Sequence, residues 1–211
     1  MHGTRPDISF VVGKLSRFTS NPSVDHWKAI GRVLGYLRKT ISLGLFYSEF
    51  PTVLEGYSDA SWINSVSDNK SMPSCIFTLG GGAISWASKK QTCISYSTME
   101  SEYVTLVATG KDVEWLRNML LDIELWSQPI PVISVYCESE ATLGKAYNKM
   151  YNGKSRHIGL RHDYIRQLIE SDTISIVYIR SNSNLADPLT KAVSQDMVGV
   201  TSIGIRLKPF F

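Results

Sequence analysis

Over residues 97–121 apolar side chains return every three or four positions, with Tyr103, Leu106, Val107, Val113, Leu116 and Leu120 on one side, which predicts the longest helix of the chain. Before it, residues 52–58, 75–79 and 83–87 read as three strands, the last two separated by the turn Gly80-Gly81-Gly82, so an antiparallel three-strand start is expected. After it, a short apolar strand over 132–136 follows Pro129 and Pro131, and helices are expected over about 140–149 and over 157–170, the second from the spacing of Ile158, Tyr164, Ile165, Leu168 and Ile169. An alternating strand over 174–179 and a short closing helix over 185–192 complete the pattern. The order βββαβααβα suits an α/β layer fold in which an antiparallel hairpin pair is extended by strands joined through helical crossovers.

Two further stretches flank this core. Asn21-Pro22 offers a helix cap and a proline for the first turn, and Trp27, Ile30, Leu34 and Leu37 then form an apolar stripe from which Lys28, Arg32, Arg38 and Lys39 are excluded. With Phe10, Leu15 and Phe18 ahead of it, this is an amphipathic hairpin that needs a partner surface. Residues 194–211 carry two glycines, Lys208-Pro209 and no clear period, and are expected to be loosely held. The expected division is a helical segment over 1–48, a main domain over 49–193 and a tail over 194–211.

A chain of 211 residues, 43% hydrophobic and 19% charged, supports one substantial core. Its net charge is only +3, so attraction for a polyanion must come from where lysine and arginine sit rather than from the total. Cys75, Cys93 and Cys137 are widely spaced and include no Cys-x-x-Cys pair, which argues against a disulfide framework or structural zinc and fits a reducing compartment. No run of about 18 apolar residues occurs, and the first residues lack the apolar stretch of a signal peptide. A soluble, cytoplasmic protein without a membrane partner is the expectation.

The informative acids are those forced towards a core or the end of a buried strand. Asp59 follows the strand residues Gly56-Tyr57-Ser58, where small neighbours allow a ligand to approach; the position also suits a plain turn aspartate. On the long helix, Glu102 lines up with Leu106 and Val113, whereas Glu100 lines up with Lys111 and Glu114 and is expected to be its solvated partner. A carboxylate on the apolar stripe costs several kcal/mol unless paired or bound to a cation, so Glu102 needs an explanation. Glu138 comes two residues after the strand ending at Tyr136, where open α/β sheets place ligands, although an acid at a helix N-terminus would look the same. Asp187 lies in Asn184-Leu185-Ala186-Asp187-Pro188, and an N-terminal cap is its simpler reading. Taken together, four acids converging at one sheet edge are tolerable only around cations, and two Mg²⁺ ions about 4 Å apart would satisfy them.

The segments Gly56-Tyr57-Ser58-Asp59-Ala60-Ser61-Trp62, then 80–92 from Gly80-Gly81-Gly82 through Ser85-Trp86-Ala87-Ser88-Lys89-Lys90-Gln91-Thr92, then Ser97-Thr98-Met99-Glu100-Ser101-Glu102-Tyr103 resemble the ribonuclease H domain of copia-type retrotransposons, most closely the plant members. Tyr136-Cys137-Glu138-Ser139-Glu140-Ala141, Lys154-Ser155-Arg156-His157-Ile158 and Asn184-Leu185-Ala186-Asp187-Pro188-Leu189-Thr190-Lys191 continue the resemblance in the same order. Upstream, Thr4-Arg5-Pro6-Asp7-Ile8, Leu15-Ser16-Arg17-Phe18 and His26-Trp27 through Leu37 resemble the end of the reverse transcriptase in the same Pol polyprotein, without its polymerase residues.

The resemblance implies a ribonuclease H-like mixed five-stranded sheet with helices on both faces. It also implies a metal-dependent endonuclease that cuts the RNA strand of RNA–DNA hybrids, with the rest of a Pol polyprotein as partner. Asp59, Glu102 and Asp187 carry over as the first, second and fourth metal-binding acids. The third is normally aspartate and here is Glu138. Mg²⁺ demands near-octahedral oxygens at about 2.0–2.1 Å, and a misplacement of about 1 Å costs on the order of a hundredfold in rate, so reduced turnover is expected, better with Mn²⁺. The alternatives are an inactive remnant that keeps the fold and binds hybrid, and, less favoured by the motifs, an integrase-like or resolvase nuclease. Lys89, Lys90, Lys154, Arg156 and Arg161 are the candidate phosphate contacts, while His157 reads as structural.

Overall fold

The computed structural model describes residues 4–47, 53–62, 71–124, 126, 129–151, 156–192 and 195–210, leaving aside the side chains of residues 156, 157, 195 and 196. The chain opens with two helices, α1 (Ser9–Leu15) and α2 (Val24–Lys39), and a short strand β1 (Leu43–Leu45). The second helix begins later than expected: Ser23 rather than Asn21 is its cap, its side chain accepting from the His26 N–H while the His26 ring accepts from the Ser23 N–H. The Trp27–Leu37 stripe is not what α2 covers, since Trp27 and Leu34 stay 62% and 56% exposed. The side turned to α1 carries Ala29, Val33 and Tyr36, and the Tyr36 hydroxyl donates to Asp7 at 2.7 Å while Arg5 holds the same carboxylate. That polar anchor fixes the helix's rotation and leaves the indole outside.

Next come β2 (Leu54–Ser61), β3 (Met72–Leu79) and β4 (Gly82–Ser88), an antiparallel meander. The β3–β4 turn is built on Gly80 and Gly81, whose φ of 58° and 75° are left-handed at both positions, as a tight two-residue hairpin requires. Helix α3 (Thr98–Leu121) crosses back to β5 (Ile133–Cys137), which pairs parallel with β2, and α4 (Glu140–Tyr147) with α5 (Arg156–Glu170) lead to β6 (Ile174–Tyr178), parallel to β5. The resulting order β4-β3-β2-β5-β6 is the mixed five-stranded sheet of the ribonuclease H-like fold.

Alternation along the strands splits the core. Phe77, Val135 and Cys137 point towards α3 and α5, where Tyr103, Leu106, Val113 and Ile165 are fully buried. Each such side chain contributes about 1.5–3 kcal/mol on leaving water. On the opposite face Ile76 and Ala83 pack with Ala186, Leu189, Ile205 and Leu207.

That second cluster corrects the expectation for the tail. Residues 195–204 form α6 (Gln195–Gly204), and β7 (Leu207–Pro209) pairs antiparallel with β1 in the register Leu43↔Pro209 to Leu45↔Leu207. Ile205 and Leu207, at 1% and 3% exposure, tie the tail down, a long-range pairing that no local period announces. Leu207→Ala should therefore cost about 2–5 kcal/mol, read as a lower urea midpoint. The helix expected over 185–192 is only a 3-10 turn, Asp187–Leu189. Among the described residues, no helix is long and apolar enough to cross a membrane.

Candidate active site

Strand β2 pairs with β3 all the way from Leu54↔Leu79 to Ser61↔Met72, so Asp59 lies within the strand opposite Ser74, not beyond its end as the sequence pattern suggested. It is 3% exposed. Glu102 reaches it from the second turn of α3. The Ala60 N–H donates to Glu102 Oε1 at 3.1 Å, while Glu102 Oε2 is buried with no hydrogen-bond donor among the described residues. Glu138 is the first residue past β5, half-buried, and accepts from the Ser181 hydroxyl. Carboxylate oxygens of Asp59, Glu102 and Glu138 lie within 4.8 Å of one another.

Glu100 does point away from this group, but it is not solvated. It is 5% exposed, its carboxylate accepts from the Tyr96 N–H at 2.9 Å, and its own N–H donates to Ser97 at 3.2 Å, so it closes the first turn of α3 instead of pairing with Lys111.

Asp187 stands at the edge of the trio, on a segment sewn to the sheet by side chains. Asn184 Nδ2 donates to the Ser58 carbonyl at 3.0 Å and its Oδ1 accepts from the Ala186 N–H at 3.1 Å. Ser74 Oγ donates to the Ala186 carbonyl at 2.8 Å, and Ser88 Oγ to the Leu189 carbonyl at 2.6 Å. Thr190 Oγ1 lies 2.6 Å from Asp59 Oδ2 and 2.9 Å from the Asp187 carbonyl, linking the two acids. The Asp187 carboxylate itself faces Lys191 Nζ at 2.5 Å.

Burial dominates the electrostatics. It raises the Asp59 carboxyl, a shift that the Thr190 hydrogen bond opposes and that Glu138 and Asp187 reinforce. Glu102 is raised in the same way, by burial first and then by the charge of Asp59, against the pull of the Ala60 N–H. Burial also raises Asp187, with Lys191 opposing. Cys137, beside them, is pushed up to about 12 by burial and stays a neutral thiol. Asp59 and Glu102 thus form a buried pair of oxygen donors whose charged forms burial disfavours, with the half-exposed Glu138 beside them. An orphaned buried oxygen on Glu102 and an all-carboxylate donor set fit a hard divalent cation such as Mg²⁺ or Mn²⁺.

Of the candidate cationic contacts, Lys89 and Lys90 are exposed directly after β4. Arg161 is half-buried on α5, with Nη2 3.9 Å from Cys93 Sγ, which ties it to the β4–α3 connection. Lys154, and the side chains of Arg156 and His157, lie outside the described residues. Sequence reasoning overlooked Thr190, Lys191, Asn184, Ser74 and Ser88. Only Lys191 left a legible signal, the four-residue interval from Asp187 that puts the two on one side of a helical turn. Ser74 and Ser88 are strand hydroxyls whose partners, 112 and 101 residues away, could not be read locally.

No protein-family model matches the chain. It is 38% identical over 193 residues to the retrovirus-related Pol polyprotein from transposon TNT 1-94 of Nicotiana tabacum, covering 92% of this chain and 14% of that protein. It is 35% identical over 193 residues to the Pol polyprotein from transposon RE2 of Arabidopsis thaliana, covering 91% and 13%. The chain therefore spans about one seventh of the length of these relatives. A solved structure of LC11-RNase H1, isolated from compost by a metagenomic approach, superposes with a TM-score of 0.49 at 17% identity, covering 66% of this chain and 93% of that one. With the Pol polyprotein matches running through nearly all of its residues at 33–38% identity, the chain belongs to the retrovirus-related Pol polyproteins of plant, copia-type transposons.

Proposed function

We propose that this chain is a divalent-metal-dependent endonuclease of the ribonuclease H type, cutting the RNA strand of RNA–DNA hybrids. Asp59, Glu102, Glu138 and Asp187 are its metal-holding acids. The observation that carries this reading is the buried, partnerless Glu102 Oε2 facing two further carboxylates within 4.8 Å. Such crowded acids either take up protons or gather around a cation, and a cation brought to them by substrate would displace those protons. Bound Mg²⁺ or Mn²⁺ supplies an activated water and neutralises charge on the phosphodiester.

The chain's own residues set the frame for that chemistry. Asp59 is held by a strand and by Thr190, and Glu102 by a helix and the Ala60 N–H, so two acids are fixed in advance. Glu138 and Asp187 lean on exposed partners, Ser181 and Lys191, which can give way when a cation arrives. Lys89, Lys90, Lys154, Arg156 and Arg161 are the proposed phosphate contacts, and the rest of a Pol polyprotein is the proposed wider partner.

A second reading is favoured by a specific observation: glutamate occupies position 138, and Lys191 already neutralises Asp187. On that reading the chain is a noncatalytic remnant that keeps the fold and binds hybrid. Incubating end-labelled hybrid with the protein in Mg²⁺ and in Mn²⁺ separates the two. RNA-strand products, larger in Mn²⁺ and absent in EDTA, are expected; intact RNA in both metals with hybrid bound selects the remnant.

A further inference from the structure

Strand β4 is an edge of the sheet, and α1 covers its end. Gly13 makes the approach close, because a side-chain carbon there would sit 3.4 Å from the Ser88 carbonyl. Between the two lies an open cleft of about 350 Å³ lined by Gly13, Ser16, Arg17, Ser88, Lys89 and Lys90. Three cations and two hydroxyls surround it, and among the described residues no carboxylate lines it. The lysines are held extended beside β3, with the Lys89 N–H on the Pro73 carbonyl at 3.3 Å and the Gln91 N–H on the Ser71 carbonyl at 2.9 Å. Arg17 is aimed over the same strand end, its Nη2 2.6 Å from Met72 Sδ.

The cleft also has a fixed relation to the acids. Asp59 pairs with Ser74, and Ser74 with Ser88, so the cleft begins two strands away from Asp59 in the same row. At about 4.8 Å per strand this is roughly 10 Å.

We infer that this cleft binds a backbone phosphate of the nucleic acid, roughly 10 Å from the row position of Asp59, and that the helical segment before the sheet supplies part of the grip through Arg17 and Ser16. The inference rests on the proposed nuclease reading for the register of the phosphate, but not for the binding itself. Phosphate contacts of this kind position a duplex without reading its sequence.

Fluorescence anisotropy of a short labelled RNA–DNA hybrid in EDTA, over a series of salt concentrations, tests it without requiring turnover. Arg17→Gln and Lys89→Gln should each weaken binding about 3- to 10-fold at low salt, equally for hybrids of different sequence, and lower the slope of log affinity against log salt by about one. Arg38→Gln, on an exposed position of α2, should change neither quantity. Thermal melts confirm that the variants fold, and Arg17→Lys should recover most of the slope. Wild-type affinity and slope in both Arg17→Gln and Lys89→Gln would overturn the cleft, as would a folded protein that binds no hybrid. A protein that binds through the cleft yet never cleaves supports the cleft and defeats only the nuclease reading.

Discussion

Asp59→Asn should lower hybrid cleavage at least a hundredfold and, in the absence of metal, raise the melting temperature. The first effect follows from removing the charge of an acid held on both sides, by strand β2 and by Thr190 at 2.6 Å. A cation facing an amide loses a strong ligand at almost unchanged shape. The second follows from the sign of the carboxyl shifts. Asp59 and Glu102 are both raised by burial, so the folded protein binds protons more tightly than the unfolded chain does. Stability of the metal-free protein is then greatest below the ordinary carboxylate range and falls as pH rises from there through the raised values. At neutral pH the cluster is a liability on the order of 2 kcal/mol, and relieving it raises Tm by about 4–8 °C for a chain of this size. Calorimetry at pH 5.5 and 7.5 in EDTA checks the sign: the wild type should melt higher at the lower pH, and Asp59→Asn should narrow that gap. Activity and stability moving together in the same direction would mean that Asp59 is structural.

Glu138→Asp should raise hybrid cleavage in Mg²⁺ tenfold or more, equivalent to about 1.4 kcal/mol of barrier. Glu138 is the one acid of the trio whose carboxylate is half-exposed, and among the described residues its hydrogen bond is to a hydroxyl, that of Ser181. One methylene fewer draws it back towards the end of β5 by roughly 1 Å, into the range where a misplaced ligand matters on the order of a hundredfold. The gain should be smaller in Mn²⁺ and should vanish in the Glu138→Asp, Asp59→Asn double variant. Hybrid affinity in EDTA should hold, because phosphate contacts come from other residues. If single-turnover cleavage by Glu138→Asp stays at the wild-type level, the carboxylate's length is not what limits this site.

The main sheet was legible because its signals are local. Strand alternation, the paired glycines of the β3–β4 turn and the helical spacing of Tyr103, Leu106 and Val113 each depend on neighbours a few residues away. Glu102 was separable from Glu100 by helical angle alone, and the structure puts Glu102 with the trio. What angle could not supply was the fate of Glu100, since a capping contact to Tyr96 depends on how the chain enters the helix. The tail and the turn bearing Asp187 were opaque for a related reason. Leu207 is buried by pairing with Leu45, and Ala186 by Ser74, both through partners more than a hundred residues away. A lone apolar residue in a short segment carries no mark of such a partner.

The pairing of β1 with β7 has a consequence for synthesis. A ribosome delivers the chain from its N-terminus at roughly 5–20 residues per second, so β2 to β6 can form their sheet while α6 and β7 are still being made. Asp59, Glu102 and Glu138 can then meet early, whereas the turn bearing Asp187 receives its backing from Ile205 and Leu207 only when the last strand arrives. Until that moment β1 lacks its strand partner, and Ile76 and Ala83 lack the part of their cover that Ile205 and Leu207 supply. A chain whose β7 has not yet paired would hold three acids together with the fourth unsupported, and Ile205 with the Leu207–Pro209 strand would act as the latch.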